Sequence, residues 1–151
     1  MTYSIPERIA QRVTALLMGQ TAAGDAVWRD RQDALTHEEP IAILIELAEE
    51  ETETLGSAGP FGRGMGVERN AVGLLVTVCV RSASWQTVAD GVRSASHALI
   101  AADPELGGIG PVRRKRCEWR PAGAEIPFGY VSQLYHIQTL ALSGDVTVQA
   151  Q

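Results

Sequence analysis

Pro40-Ile41-Ala42-Ile43-Leu44-Ile45-Glu46-Leu47 and Ala71-Val72-Gly73-Leu74-Leu75-Val76-Thr77-Val78-Cys79-Val80 are the two stretches whose reading decides the fold. Each is a short run rich in β-branched residues and apolar on both alternating sets, as strands are when a helix layer covers the sheet. The first strand runs out into Glu49-Glu50-Glu51-Thr52-Glu53, and the segment Gly56 to Gly66 then carries five glycines with Pro60 and Phe61. The two runs therefore pair as a long hairpin around a glycine-rich loop at 56–66.

Outward from the hairpin, both flanks read as helices with one apolar face. Ser4-Ile5-Pro6-Glu7 supplies a capping hydroxyl, a first-turn proline and a Glu three residues on, the pattern of a capping box. Ile5, Ile9, Val13, Leu16 and Leu17 then share one side, Glu7, Arg8, Gln11 and Arg12 the other, and Gly19 marks the stop. On the far flank Ser84 opens a helix in which Trp85, Val88, Ala89, Val92, Ala95, Leu99 and Ile100 share a face, and Asp103-Pro104 ends it.

The remaining segments read as strands. Ala26 to Arg29 follows a small-residue turn at Thr21 to Asp25. Val112 to Arg120 and Phe128 to Leu142 flank a turn at Pro121 to Pro127. The order α-β-β-β-α-β-β predicts an α+β domain: a mixed, largely antiparallel sheet with two helices packed on one face. The other face must then meet water or a partner. At 151 residues the chain forms one domain over 1–151.

An apolar fraction of 45% and a charged fraction of 21% belong to a folding chain, and a net charge of −5 opposes nonspecific wrapping of nucleic acid. The N-terminus lacks the basic and apolar stretches of a secretory signal, and no apolar run nears the ~20 residues a membrane crossing needs, which points to a cytoplasmic protein with no membrane partner. Cys79 and Cys117 stand alone, outside any CxxC pair, and read as reduced packing residues.

Catalytic and cofactor patterns are weak. The glycine-rich loop lacks the Lys-Ser/Thr that completes a phosphate-binding loop, and it joins two strands without opening a helix. His37, His97 and His136 have no metal-ligand spacing, and His37-Glu38-Glu39 sits just before a strand-opening proline, where a solvated turn is the simpler reading. No Gly-x-Ser-x-Gly occurs. The expectation is a non-enzyme without metal or cofactor. A small-ligand domain or enzyme stays open as a rival if a polar pocket exists near His97 or His136.

Two charged stretches remain. Arg113-Arg114-Lys115-Arg116 on a strand puts charge on both faces. It reads as a phosphate contact, as a charge-protected edge strand, or as an ion-pair seam against Glu49, Glu50, Glu51 and Glu53 of a neighbouring subunit. Complementary patches on one subunit suit a head-to-tail ring.

Taken in order, an N-terminal amphipathic helix (Ile5 to Met18), a Thr-x-x-Gly-Asp turn (Thr21 to Asp25), a short strand (Val27 to Arg31), and an acidic approach to a Pro-led strand (Glu38 to Ile43) resemble the tail terminator, or minor tail, proteins of lambda-like long-tailed phages. The strand Leu74 to Val80, the helix Trp85 to Ala101, Asp103-Pro104-x-Leu106 and the strand Val131 to Leu140 extend the resemblance over nearly the whole chain. The length of the 56–66 loop and the strong charge of 113–116 depart from the pattern.

The resemblance implies a structural virion protein that forms a hexameric ring at the head-proximal end of the tail. There it would stop polymerisation of the major tail tube protein and present a docking surface for a head-completion or neck protein, with DNA passing through the ring without specific binding. Assembly would take place in the host cytoplasm. Candidate subunit or tube contacts are Glu49, Glu51, Glu53, Phe61, Arg63, Met65, Arg113, Arg114, Lys115 and Arg116. The nearest alternative is another head-tail joining (neck) protein of phage or prophage.

Overall fold

The computed structural model describes residues 2–30, 39–57, 66–122, 127–142 and 145–149. The elements run α1 (Ile5–Leu17), β1 (Val27–Arg29), β2 (Ile41–Ser57), β3 (Gly66–Val80), α2 (Trp85–Ala101), a 3-10 turn (Leu106–Gly108), β4 (Val112–Pro121), β5 (Gly129–Leu142) and β6 (Asp145–Gln149). One six-stranded sheet has the order β1-β2-β3-β5-β4, with β6 on the end of β5. All pairings are antiparallel except β1 with β2. This is the expected α+β architecture with both helices on the sheet.

Both helices pack into one apolar cluster on one sheet face. Ile5, Ile9, Val13 and Leu17 of α1 and Ala89, Val92 and Ile100 of α2 meet Ile43 and Ile45 of β2, the even positions Val72 to Val80 of β3, and Val131, Tyr135 and Ile137 of β5. Period 3.6 on the helices and period 2 on the strands thus converge on the same core. Burying each large aliphatic there contributes about 1.5–3 kcal/mol.

The helix ends are set partly as expected. The Ser4 hydroxyl accepts from the Glu7 N–H at 3.3 Å, while the Glu7 carboxylate, instead of reaching back, takes both Arg29 nitrogens at 3.0 and 3.2 Å. That partner holds Glu7 below its ordinary range despite partial desolvation. Gly19 stops the chain at φ +70, a conformation only glycine adopts without strain. Ser84 makes no side-chain cap; the Ser82 hydroxyl accepts the Ser84 N–H instead.

Two expectations are corrected. The acidic run does not end the strand, because Glu49 to Glu53 continue β2 as far as Ser57, and Gly56, Ser57 and Gly66 are strand residues paired across the hairpin. The reason is pairing: each acidic residue faces a β3 partner whose backbone completes the ladder, so tertiary context overrides low strand propensity. The rest of the glycine-rich loop lies outside the described residues. β6 was not foreseen: Asp145-Val146-Thr147-Val148-Gln149 alternates polar and apolar residues, but a run of five carries little signal.

Candidate functional site

In a sheet, register decides which side chains share a surface, because paired residues point the same way. One face lies under α1 and α2. The opposite face is crossed by rows running from β2 to β4: Glu49, Gly73, His136 and Arg113 in one row, and Glu46, Leu75, Leu134 and Arg116 in the next. Beyond them lie Glu51 with Ala71 and Gln138, then Glu53 with Arg69 and Leu140. One surface therefore grades from acidic at the β2 edge to basic at the β4 edge.

Bulges produce this sorting. An extra residue between Leu47 and Glu49 shifts the β2 register, so Glu49, Glu51 and Glu53 all point away from the helices, while every residue from Glu46 to Leu55 is exposed. A second bulge between Arg114 and Arg116 leaves Lys115 as the extra residue and sends Arg113 and Arg116 to the helix-free face. Arg114 points to the helix side, where it donates to Gln133 Oε1 at 3.2 Å. Phe61, Arg63 and Met65 fall outside the described residues, and so does His37.

The row through Gly73 shows why a glycine interrupts an otherwise apolar strand. Glu49 crosses above it to reach His136 Nε2 at 2.8 Å, and a Cβ at position 73 would stand 2.4 Å from Glu49 Cγ. Close approach of this kind is what a strand-interior glycine signals. One row away, Arg69 and Glu53 are 3.4 Å apart and both well exposed, so the pair contributes little.

The two charged stretches do not meet within a chain, since β3 and β5 lie between them. Both instead form sheet edges. β1 covers the outer edge of β2 only at Ile43, Leu44 and Ile45, so no described strand pairs with the outer edge of residues 46–57, nor with that of β4. Leu47, Leu55 and Leu140, each about two-fifths exposed, add apolar surface to the projecting half.

On the helix side a polar network joins α2 to β4 and β5. His97 Nδ1 and the Tyr135 hydroxyl lie 2.9 Å apart, Tyr135 donates to Gln133 Oε1 at 3.3 Å, and Cys117 lies within 4.0 Å of the same oxygen. Burial pushes the Tyr135 hydroxyl well above its ordinary range, and it pushes His97 down, with help from Arg114 and Arg93. Trp85, Trp119 and Arg93 stack beside it, with 6.3 Å between ring centroids and 5.6 Å from the guanidinium to Trp119. This network fastens the β4 edge to α2. Sequence reading missed it because its members are spread from 85 to 135.

A notch of about 160 Å³ beside His136 is lined by Arg113, Lys115 and Gln138. It is smaller than the ~300 Å³ at which small-molecule pockets begin. Among the described residues no three His, Cys, Asp or Glu are grouped to hold a metal, and no helix is long and apolar enough to cross a membrane. Cys79, buried, and Cys117, half-buried, are not joined in a disulfide.

No protein-family model matches the chain, and no curated protein matches it. Among solved structures it is similar to the sheath/tube terminator of an extracellular contractile injection system (PVC), determined by cryo-electron microscopy in the extended state. The TM-score is 0.54 at 15% identity, and the match covers 100% of this chain and 62% of that one. The likeness is one of fold, and this chain spans less than two thirds of the length of the protein it matches.

Proposed function

We propose that this chain is a structural tail-terminator protein. Its subunits form a ring, hexameric by the phage resemblance, that seats on the head-proximal end of a tail tube, denies the next tube ring its site and offers a different surface to a head-completion or neck protein. DNA passes through the ring without specific recognition. The protein acts in the virion tail after assembly in the host cytoplasm, and no catalysis is required of it.

The observation that carries the reading is the fold shared with a sheath/tube terminator over the whole of this chain. The surface supports it: Glu49, Glu51 and Glu53 on one sheet edge and Arg113, Arg114, Lys115 and Arg116 on the other are the contacts we assign to the ring, and different edges of one subunit are what a heterologous ring contact requires.

The test is a tube-elongation assay. Tail tube protein polymerising in the presence of this chain should give short tubes bearing one terminal ring by electron microscopy, shorter as the chain is increased. Tubes of unchanged length with bare ends would overturn the reading. A ring found in purified particles on the head side of the tail end, separated from the tube, would reassign it as a neck protein.

A further inference from the structure

We infer that the outer edge of β2 that no described strand covers takes β4 of a second copy as an added antiparallel strand, with the acidic and basic runs in contact, so that the sheet continues from subunit to subunit. This deepens the ring reading above and rests on it for closure.

The two edges fit in length and direction. Ten residues of β4, from Val112 to Pro121, meet the twelve of β2 at 46–57 that no described strand covers. Three antiparallel steps separate β2 from β4, so β4 of the next copy arrives antiparallel to β2 with the helix-free faces continuous. Glu49, Glu51 and Glu53 then share a face with Arg113 and Arg116 of the second copy. Among the described residues, Glu51, Arg113, Lys115 and Arg116 have no ion-pair partner of their own.

Charge forbids the alternatives. Long open strand edges self-associate unless something prevents it. A β2 edge carrying Glu46, Glu49, Glu50, Glu51 and Glu53 repels a copy of itself, and a β4 edge carrying Arg113 to Arg116 does the same. Only the acidic edge against the basic edge is attractive, which selects head-to-tail contact and excludes the two-fold dimer.

β1 fixes the stagger. Because it occupies β2 at Ile43 to Ile45, β4 of the second copy must sit farther along. Within one sheet the middle of β4 lies at Arg116, in the row Leu134, Leu75, Glu46, whereas the middle of the open stretch is near Glu51, four rows on by β3 register (Leu75 to Ala71), an even step that keeps Arg116 and Glu51 on the same face. Four rows at ~3.3 Å make ~13 Å along the strands, against ~19 Å for four strand spacings across, a slope of about 35°. Sheets close on themselves at strand tilts of roughly 35–45°. The length of β1 thus sets a stagger compatible with closure.

The experiment uses two full-length variants, Glu49→Arg/Glu51→Arg/Glu53→Arg and Arg113→Glu/Lys115→Glu/Arg116→Glu, with particle mass read by light scattering across concentration at low and high salt. Wild-type chain should self-associate, more weakly in 1 M salt, where the screening length falls to ~3 Å. Each variant alone should associate at least ~100-fold more weakly, and an equimolar mixture should recover assembly with the two chains alternating. Recovery in the mixture also shows that both variants are folded.

Wild-type chain that stays monomeric at every concentration, or oligomers indifferent to either reversal, would overturn the seam. Oligomers indifferent to reversal but still capping tubes would do so while leaving the terminator reading standing. Reversal-sensitive open chains that never close or cap tubes would retain the seam and remove the ring.

Discussion

Gly129→Ala tests the packing that fixes the β4 and β5 ends beneath α2. Gly129 pairs with Val80 on one side and Pro121 on the other, so its backbone cannot retreat. A Cβ there would lie 2.2 to 2.4 Å from three carbons of the Trp85 indole. Carbon atoms rest at ~3.5–4.0 Å, so the ring must move by more than ~1 Å, and it moves against Trp119 and the Arg93 stack. Overpacking of this kind costs about 1–3 kcal/mol, offset by about 0.4–1 kcal/mol from the stiffer unfolded chain. The net loss is up to about 2.6 kcal/mol, or a melting point lower by up to roughly 10 °C in a domain of this size. Thermal unfolding followed by circular dichroism gives the stability, and tryptophan emission shifted to the red reports the displaced ring. Gly91→Ala is the control of opposite sign: nothing stands within 4 Å of its Cβ on exposed α2, so a gain of about 0.5–1 kcal/mol is expected. Gly129→Ala as stable as the parent, with unchanged emission, would refute the seating of Trp85 on the glycine.

Two other outcomes follow from contacts of Gly73 and His97. Gly73→Ala should leave stability within about 1 kcal/mol, because the strand gains from alanine what it loses with an exposed contact, yet it should move the His136 ring resonances as Glu49 is displaced; unmoved resonances would show that Glu49 does not cross there. His97 is held below its ordinary 6.5 first by burial, then by Arg114 and Arg93. The unfolded chain therefore binds a proton near pH 6.5 that the fold refuses until lower pH, so this contribution is complete above 6.5 and declines as pH falls through 6.5 toward the depressed value. Glu7 and Asp103, both lowered, add their losses only below their ordinary 4.5 and 3.8. Denaturant unfolding should thus show a smaller stability difference between pH 7.5 and 5.5 in His97→Gln than in the parent, and equal differences would refute it.

What was legible in the sequence was whatever had a period. Ile5, Ile9, Val13 and Leu17 on α1 and the alternating core of β3 lie where the pattern puts them, and the hairpin pairing followed from two buried strands flanking a glycine-rich segment. The extent of β2 was not legible, because Glu49 to Glu53 have the composition of a solvated run and become a strand only through β3. Register was hidden for a related reason: the bulges at Leu47/Glu49 and Arg114/Arg116 each reverse which side chains face the helices, and nothing local marks them. The interior Gly73 was the available clue to the Glu49 crossing. The contacts of Gln133 with Tyr135, Arg114 and Cys117 needed the fold itself.

The sheet divides its labour along its strands. Proximal rows, from Ile41 to Ile45 on β2 and from Leu74 to Val80 on β3, are roofed by helices and hold the domain together. Distal rows of β2 carry exposed residues from Glu46 to Leu55 that stabilise little within one chain: an exposed Arg69–Glu53 pair, a partly exposed Glu49–His136 contact, and Leu47 and Leu55 open to water. A strand extended well past its own core, with five glutamates and a backbone edge that no described strand covers, costs ordering entropy that its few contacts do little to offset. β4 shows the complementary arrangement: its backbone is anchored by β5, the Trp119 stack and the Arg114–Gln133 bond, so its basic edge is held rigid before any partner arrives. A rigid basic edge and a projecting acidic edge stand at opposite ends of one sheet, too far apart to meet within a chain, and they are the two surfaces that the proposed head-to-tail seam brings together.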